Sequence, residues 1–377
     1  MRLEKISSSA RSAVVGSNQG RFILFRVLIS VYWLALACVC FCGEVEKNQF
    51  VVQAGQACAI NQRLGRGINI MSLDPIWRNR ERGWFKRDYF KLIREAGFDH
   101  VRINLTPFGD NPGFAEGKST LRKEYLDTLD WAIDSALADG LLVIVDFHEF
   151  ILLGEKPEAY KAAFLKTWEV LAERLKNRPS GVLFELLNEP NSKLTPELWN
   201  DYLRQALAIV RKTNPNRVVI IGPGNWNNID KLADLSLPEN DTNIIVTVHY
   251  YSPYDFTHQG AAFAGKADKV GIRWGTETDR RAVIEDFDRA QKWAWTNMRP
   301  IYLGEFGVFD RAPEPDRIQW LEFVPRQAEQ RGWSWAYWQF TRDFIAFDLE
   351  KGQWVKSVLD ALIPPPASPP NQPAQTQ

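Results

Sequence analysis

The sequence of 377 residues has no charge surplus of either sign, because 46 lysine and arginine side chains balance 46 aspartate and glutamate side chains. Proteins that hold nucleic acid need an excess of basic side chains to neutralise phosphates, so nucleic acid is excluded as the expected partner. The same balance gives no reason to expect a strongly anionic substrate.

Cysteine is scarce as well. The chain has four, and Cys38, Cys40 and Cys42 lie together near the N-terminus. Removal of that segment would leave Cys58 alone, so we expect a folded domain without internal disulfides and with one packed, unreactive thiol. A domain of roughly 300 residues buries enough surface to fold without covalent links.

Residues 1–43 have the composition of an export signal. Basic side chains are spread over residues 1–26, and an apolar stretch fills residues 27–42. This order predicts a signal peptide and a secreted or periplasmic protein, with retention as an N-terminal membrane anchor, or lipidation, as alternatives. The apolar stretch is short for a membrane-spanning helix, which needs about 20 residues. At the other end, proline and glutamine dominate residues 364–377, which we expect to form a tail outside the fold.

Between these termini, strand and helix patterns alternate eight times. Apolar runs typical of buried parallel strands occupy residues 65–71, 101–105, 141–148, 182–189, 218–225, 244–251, 301–306 and 333–340. Helical periodicity is clear over residues 88–96, 123–139, 158–176, 196–213 and 279–296. The alternation predicts a single α/β domain, a (β/α)8 TIM barrel over residues 44–363. A competing open sheet would carry a glycine-rich turn after its first strand, and that turn is missing from the sequence.

Nearly every predicted strand ends in a polar or aromatic side chain. These are Asn69, Arg102 with Asn104, His148, Asn188 with Glu189, Asn225 with Trp226, His249 with Tyr251, Glu305 and Trp338. Taken singly, each has a plain structural interpretation, such as a packed histidine or a paired arginine. Closure of a barrel brings the carboxyl ends of all its strands to one opening, so the coincidence on eight strands predicts an active site there.

Glu189 and Glu305 suggest the chemistry of that site. Two carboxylates that meet at one opening can act as acid and nucleophile in the cleavage of a glycosidic bond. The acid must hold a proton when the substrate arrives, whereas the nucleophile must be ionised. A nearby cation and a hydroxyl donor would keep the nucleophile ionised. Retention of anomeric configuration requires a separation of about 5–5.5 Å between the two carboxyls.

The sequence resembles glycoside hydrolase family 5, the cellulase-type family of barrel glycosidases, over about residues 65–340. The resemblance is carried by Val101-Arg102-Ile103-Asn104, Asp146-Phe147-His148, Leu187-Asn188-Glu189-Pro190, Val248-His249-Tyr250-Tyr251, Gly304-Glu305-Phe306-Gly307 and Trp335-Ala336-Tyr337-Trp338. It implies that Glu189 is the acid/base and Glu305 the nucleophile. We therefore expect Arg102 and Tyr251 to contact Glu305 and keep it ionised. The supporting residues that it implies are Arg102, His148, Asn188, His249, Tyr251 and Trp338.

Substrate contacts are predicted for a further group of side chains. Trp338 would stack under the sugar at the cleavage site, and Asn188 would bind its 2-hydroxyl. Asn69, Trp226 and Trp274 are the other predicted substrate-binding residues. Trp274 belongs to the loop of residues 253–274, which together with residues 107–121 is expected to select the substrate.

The expected activity is hydrolysis of β-1,4-glucosidic bonds within cellulose or related β-glucans, by a monomer that needs no cofactor and no metal. Mannanase, xyloglucanase and mixed-linkage glucanase activities, and exo cleavage, are left open because the loops decide among them. A metal-dependent hydrolase is disfavoured because the chain has only four histidines and no His-x-His spacing. The alternative of another class is a noncatalytic carbohydrate-binding barrel, against which the presence of both glutamates speaks.

Overall fold

The computed structural model describes residues 55–108 and 121–365. Eight parallel strands form a closed barrel in chain order, so that the first strand pairs with both the second and the eighth. They are β1 (Arg66–Ile70), β2 (His100–Leu105), β3 (Leu142–Phe147), β4 (Val182–Glu185), β5 (Val219–Ile221), β6 (Ile244–Tyr250), β7 (Ile301–Phe306) and β8 (Ser334–Tyr337). The predicted (β/α)8 barrel is confirmed.

Most helices cover the outside of the barrel, whereas the first, which precedes β1, lies at one end of it. The helices are α1 (55–64), α2 (Asp88–Glu95), α3 (Lys123–Ala138), α4 (Phe150–Glu155), α5 (Pro157–Leu175), α6 (Pro196–Thr213), α7 (Glu277–Asn297), α8 (Glu314–Gln330) and α9 (Lys356–Leu362). The loops carry single turns at Pro75–Trp77, Arg80–Arg82, Ile229–Asp234, Tyr254–Thr257 and Ala262–Ala264, and a small hairpin joins β9 (Phe347–Asp348) to β10 (Gln353–Trp354). The five helices predicted from periodicity correspond to α2, α3, α5, α6 and α7. The sequence analysis missed α8, which contains Pro325 in its interior.

Three strands end three or four residues earlier than predicted. β4 ends at Glu185, β5 at Ile221 and β8 at Tyr337. Glu189 and Trp338 therefore lie on loops just beyond their strands. The backbone N–H groups of Asn188 and Trp338 still donate to Phe147 and Phe306 of the neighbouring strands, at 2.9 and 3.0 Å, so the two loops begin in fixed positions at the opening.

Side chains on the strands alternate between the barrel interior and the layer beneath the helices. In β2, Val101 and Ile103 pack in the outer layer, and the intervening Arg102 lies inside. The lower part of the interior is apolar and contains side chains of α1: Ala57, Ile60 and Leu64 pack with Ile144, Leu183, Val218, Ile220, Ile245, Tyr302 and Ala336. α1 thus plugs the end of the barrel opposite the strands' carboxyl ends, a feature that the sequence analysis did not predict.

Several predictions fall outside the described residues. The signal peptide of residues 1–43, residues 109–120 of the loop 107–121 and residues 366–377 of the tail belong to this group. Export, anchoring and the role of the tail therefore stay predictions, as does the monomeric state. In the part of the chain that the structure describes, no helix combines the length and the apolar character needed to cross a bilayer. Cys58 is a free, buried thiol, and burial raises its pKa.

His100 ties the plug helix to the barrel. Its Nδ1 lies 2.6 Å from the carbonyl oxygen of Leu64, and its Nε2 lies 3.0 Å from the hydroxyl of Tyr302. Gly67 faces the ring, and a Cβ atom at that position would lie 2.1 Å from it, so no side chain fits there. Burial lowers the pKa of His100 to about 4.

We predict that His100 makes the free energy of unfolding depend on pH. The unfolded chain binds a proton near pH 6.5 and the folded chain only near pH 4, so this contribution is complete above pH 6.5 and is lost as the pH falls towards 4. Its size is about 3 kcal/mol. In urea unfolding between pH 4 and 8, the stability difference between the parent and His100→Gln should shrink by that amount at low pH. A difference that stays constant across the range would contradict the assignment.

Candidate active site

A cavity of about 710 Å³ opens at the carboxyl ends of the strands. The predicted residues that line it are His148, Asn188, Glu189, Trp226, His249, Tyr251, Glu305 and Trp338. They come from six different strands or from the loops directly after them. The barrel thus brings together side chains that are far apart in sequence, as the strand-end pattern predicts.

Glu305 reaches the cavity through a break in the β6–β7 ladder. Val248 pairs with Leu303, but the next residue, His249, pairs with Glu305, so Gly304 is an extra residue in β7. A Cβ atom on Gly304 would lie 2.4 Å from Thr247 Oγ1, so glycine is needed for the strands to approach here. Such bulges redirect side chains next to active sites. Here the bulge places His249 and Glu305 side by side on the inner face.

The carboxylate of Glu305 is held on both oxygens. Nη1 of Arg102 donates to Oε1 at 2.9 Å, and the hydroxyl of Tyr251 donates to Oε2 at 2.9 Å. A cation and a hydroxyl donor both stabilise the ionised form of a carboxylate. The two expected contacts of Glu305 are therefore present, and its role as nucleophile stays a prediction.

Glu189 lies in a different environment. Its backbone is left-handed, with φ 42°, and Nδ2 of Asn191 donates to its carbonyl oxygen at 2.7 Å, which holds the turn after β4. Burial raises the pKa of the Glu189 carboxyl to about 7. At neutral pH this carboxyl is substantially protonated, as an acid catalyst must be.

His249 lies between the two glutamates. Its Nδ1 is 2.7 Å from Oε1 of Glu189 and 3.6 Å from Oε2 of Glu305. Nδ2 of Asn227 donates to Nε2 at 3.2 Å, which leaves Nδ1 as the nitrogen that carries hydrogen. Burial lowers the pKa of His249 to about 3, so the imidazole is neutral and donates to Glu189 without adding charge.

The spacing of the two carboxyls favours one stereochemical outcome. Oxygen atoms of Glu189 and Glu305 and a ring nitrogen of His249 all lie within 4.8 Å of one another. Inverting enzymes need about 6.5–9.5 Å between the carboxyls to admit a water, whereas retaining enzymes need about 5–5.5 Å. The same trio has the spacing of metal ligands, but each member is hydrogen-bonded within the site, and the absence of a metal requirement stays a prediction.

Arg102 connects the site. Its side chain is fully buried, and its five N–H groups make hydrogen bonds to four residues. Two go to Glu185 at 2.7 and 2.9 Å, and single bonds go to Glu305 at 2.9 Å, Asn69 at 2.8 Å and Asn188 at 2.8 Å. The sequence analysis identified Arg102 but missed Glu185. A charged residue inside the apolar run before Glu189 was the available signal.

Asn188 is oriented by this network. Its Oδ1 accepts from Arg102, so its Nδ2 must point elsewhere. That Nδ2 has no hydrogen-bond partner among the described residues, although the side chain is buried and lines the cavity. An unpaired buried donor is costly unless a ligand satisfies it. The geometry fits the predicted hydrogen bond to a sugar hydroxyl.

His148 and Trp338 form one wall of the cavity. Their rings stack with centroids 5.3 Å apart and an interplanar angle of 6°. Asp146 lies behind them and accepts from His148 Nδ1 at 2.6 Å and from Asn104 Nδ2 at 3.0 Å. Burial opposes ionisation of Asp146, but Arg102 and His148 outweigh it and lower its pKa. Because Nδ1 of His148 is bound to Asp146, Nε2 is the ring nitrogen that remains available to a ligand in the cavity.

A family model described as cellulase (glycosyl hydrolase family 5) matches residues 61–343. The chain belongs to glycosyl hydrolase family 5. Endoglucanase H of Acetivibrio thermocellus is 32% identical over 321 residues, which cover 81% of this chain and 33% of that protein. Endoglucanase 3 of Fibrobacter succinogenes is 25% identical over 351 residues, with coverage of 79% and 52%. The chain therefore spans between a third and about half of the length of these two relatives.

A solved structure agrees with this family 5 assignment over the whole barrel. Endoglucanase Cel5A of Thermotoga maritima is 39% identical, with a TM-score of 0.77, and the match covers 82% of this chain and 100% of that one. Further structures of Cel5A were obtained in complex with cellobiose and with mannotriose.

Two predicted substrate contacts are wrong in this family 5 barrel. Asn69 is fully buried at the base of the site, where its Nδ2 donates to the carbonyl oxygens of Gly304 and Tyr337 at 3.1 and 3.3 Å. It positions Arg102 and the bulged strand, and it does not line the cavity. The alternation of inward side chains predicts that it faces the interior but not how deep it lies.

Trp274 is the second correction. Only 3% of it is exposed, and it packs against Phe256 and Phe323 with the guanidinium of Arg280 over its ring, away from the cavity. The loop before it instead presents Tyr254 and Phe263, which are 48% and 66% exposed and line the cavity. The sequence analysis missed Tyr254 and Phe263 because it looked for stacking side chains among the loop tryptophans. The sequence alone does not distinguish the loop side chains that face the cavity from those that pack.

Trp226 is placed as predicted. It lines the cavity and is 46% exposed. Its φ of 60° and the left-handed backbone of its neighbours Asn225 and Asn227 form a tight turn after β5. The backbone N–H of Trp226 donates to the carbonyl oxygen of Pro190 at 3.1 Å, so this turn abuts the loop that carries Glu189.

We predict opposite phenotypes for two tryptophans of this family 5 protein. Trp274→Ala leaves a cavity in the core and should lower the free energy of unfolding by about 3–5 kcal/mol. Its KM for cello-oligosaccharides, measured where the variant is folded, should match that of the parent. Trp226→Ala is the matched control, and it should keep its stability and raise KM roughly tenfold. A raised KM in a stable Trp274→Ala protein would restore the stacking role that we reject.

Proposed function

We propose that this family 5 protein is a retaining, endo-acting glycoside hydrolase that cleaves β-1,4-glucosidic bonds in cellulose or related β-glucans. One observation carries the proposal: two carboxyls whose oxygens lie within 4.8 Å are held in opposite environments. Glu305 accepts from a guanidinium and a hydroxyl, whereas burial raises the pKa of Glu189 to about 7. Different environments for two identical side chains support the roles of acid for Glu189 and nucleophile for Glu305.

In the first half of the reaction, Glu305 attacks the anomeric carbon of the sugar and the glycosidic carbon–oxygen bond breaks. Glu189 gives its proton to the departing oxygen, so the leaving group is a neutral alcohol. A covalent ester between the sugar and Glu305 remains. The free donor of Asn188 would bind the sugar 2-hydroxyl, a contact that strengthens in the transition state.

In the second half, Glu189 acts as a base. Esterification of Glu305 removes a negative charge within 4.8 Å, which lowers the pKa of Glu189 for its second role. Glu189 takes a proton from a water molecule, and the resulting hydroxide attacks the anomeric carbon. Glu305 leaves as a carboxylate and Glu189 is again protonated, so the cycle closes with retained configuration.

Two kinds of support bear on the substrate. The relatives above carry the name endoglucanase, which favours internal β-1,4-glucan bonds. A second candidate is β-mannan, favoured by the Cel5A structure in complex with mannotriose. Hydrolysis of carboxymethylcellulose, barley glucan, mannan, xyloglucan and xylan would rank them. Release of glucose alone from chain ends would reject the endo mode.

We predict that Glu305→Gln lowers kcat/KM on soluble β-glucan by roughly 10⁴-fold or more, because the amide cannot form the ester. Incubation of the parent with an activated 2-deoxy-2-fluoro-cellobioside should release the leaving group and add one 2-deoxy-2-fluorocellobiosyl mass on Glu305, detected by peptide mass spectrometry. Glu314→Gln, on the exposed start of α8, is the control and should behave as the parent. Equal rates for Glu305→Gln and the parent would rule out covalent catalysis by Glu305.

A second prediction concerns the alkaline limb of the pH profile. The proton on Glu189 is lost as the pH rises through about 7, so kcat/KM on cello-oligosaccharides should fall tenfold per pH unit above that value. Glu189→Gln should lose most activity on these substrates. Glu189→Gln should still cleave dinitrophenyl cellobioside, whose leaving group needs no protonation. The pH profile of kcat/KM for that substrate should then show no inflection near pH 7. Persistence of that inflection in Glu189→Gln would assign it to another group.

A further inference from the structure

Four polar side chains that are linked by hydrogen bonds line one side of the same cavity, namely Tyr250, Asp286, Arg289 and Asp230. The hydroxyl of Tyr250 donates to Oδ2 of Asp286 at 2.8 Å, and Oδ1 of Asp286 pairs with Nη1 of Arg289 at 2.8 Å. Nη2 of Arg289 in turn donates to Oδ1 of Asp230 at 2.7 Å. These residues come from β6, α7 and the turn Ile229–Asp234, and all four line the cavity that holds Glu189.

The strand order indicates that these four side chains lie on the leaving-group side of the cleavage point. Trp338 follows β8 and Glu189 follows β4, and in a barrel of eight strands these two lie opposite each other. If the sugar to be cleaved stacks on Trp338, the departing part of the substrate extends past Glu189. Trp226 abuts the loop of Glu189 there, and Asp230 lies four residues further along the chain.

Stability gives little reason for the arrangement. The side chains of Arg289 and Asp230 are 54% and 68% exposed, and ion pairs of that exposure contribute close to nothing to folding. A guanidinium has five N–H groups, and Arg289 uses two of them to bind the two carboxylates. These two contacts fix the plane of the guanidinium. A fixed planar donor fork next to carboxylate acceptors can bind neighbouring hydroxyls of a sugar ring.

We propose that Asp230, Asp286 and Arg289 form a leaving-group subsite that binds a neutral glucosyl unit beyond the one at Trp226. The inference rests on the proposed function, since it assigns a substrate contact of that same reaction. One cation between two carboxylates carries a net negative charge, so the subsite disfavours an acidic sugar. Tyr250, buried and hydrogen-bonded to Asp286, holds that carboxylate in place.

The test compares two substrates that differ in how far they extend past the cleavage point. An aryl β-cellobioside ends at the first leaving-group position, whereas cellopentaose reaches beyond it. In Arg289→Ala, the ratio of kcat/KM for cellopentaose to kcat/KM for the aryl cellobioside should fall about tenfold. Asp230→Asn should lower the same ratio by a smaller factor, because the amide still supplies one oxygen acceptor.

Arg281→Ala is the matched control. Arg281 lies on the same helix with a side-chain exposure of 62%, pairs with Glu285 at 3.9 Å and does not line the cavity, so its ratio should equal that of the parent. An unchanged ratio in Arg289→Ala, whether both rates hold or both fall together, would overturn the subsite. A parent that cleaves neither substrate would reject the proposed function itself, which distinguishes the two failures.

Discussion

The buried guanidinium of Arg102 is the interaction on which the active site depends. All of its N–H groups are used, and its partners include three of the residues assigned to catalysis or placed around it: Glu305, Asn188 and Glu185. The pKa of Glu185 is raised to about 8, chiefly by burial and in addition by the carboxylates of Asp146 and Glu305, although Arg102 acts in the opposite direction. Removing one partner of such a network leaves uncompensated buried charge, which costs several kcal/mol. The position of the Glu305 carboxylate and the direction of the Asn188 amide both follow from a single side chain on β2.

Two glutamates of identical chemistry differ here because the backbone delivers them by different devices. A bulge at Gly304 turns Glu305 towards cationic and hydroxyl donors on the strand layer. A left-handed residue after β4 lifts Glu189 above that layer, where a neutral imidazole is its neighbour and burial governs its pKa. Both are local departures from regular strand geometry, and both occur at the point where the chemistry requires unequal proton affinities.

Much of this could be predicted from the sequence, for physical reasons that also mark the limits. Strands buried on both faces leave continuous apolar runs, so the barrel and the two strand-end glutamates were recognisable. Depth inside the barrel leaves no comparable trace, and Asn69 therefore seemed to be a substrate contact although it lies beneath the site. The orientation of a loop side chain depends on tertiary packing, which is why Trp274 was chosen over Tyr254. The plug helix was missed because it lies before the first strand, where the alternation gives no signal.

The plug helix has a consequence for how protons move during turnover. Apolar side chains of α1 and the strands pack together in the lower interior, whereas the cavity lined by Glu189 and Glu305 opens at the carboxyl ends of the strands. We expect the two carboxyls to exchange protons with bulk solvent through this opening, which a bound polysaccharide would cover in the proposed reaction. The proton that leaves with the alcohol would then be replaced from the single water molecule that cleaves the ester. In such a turnover, the buffer would set the protonation of the resting enzyme only. The attacking water would supply both the hydroxide that cleaves the ester and the proton that returns to Glu189.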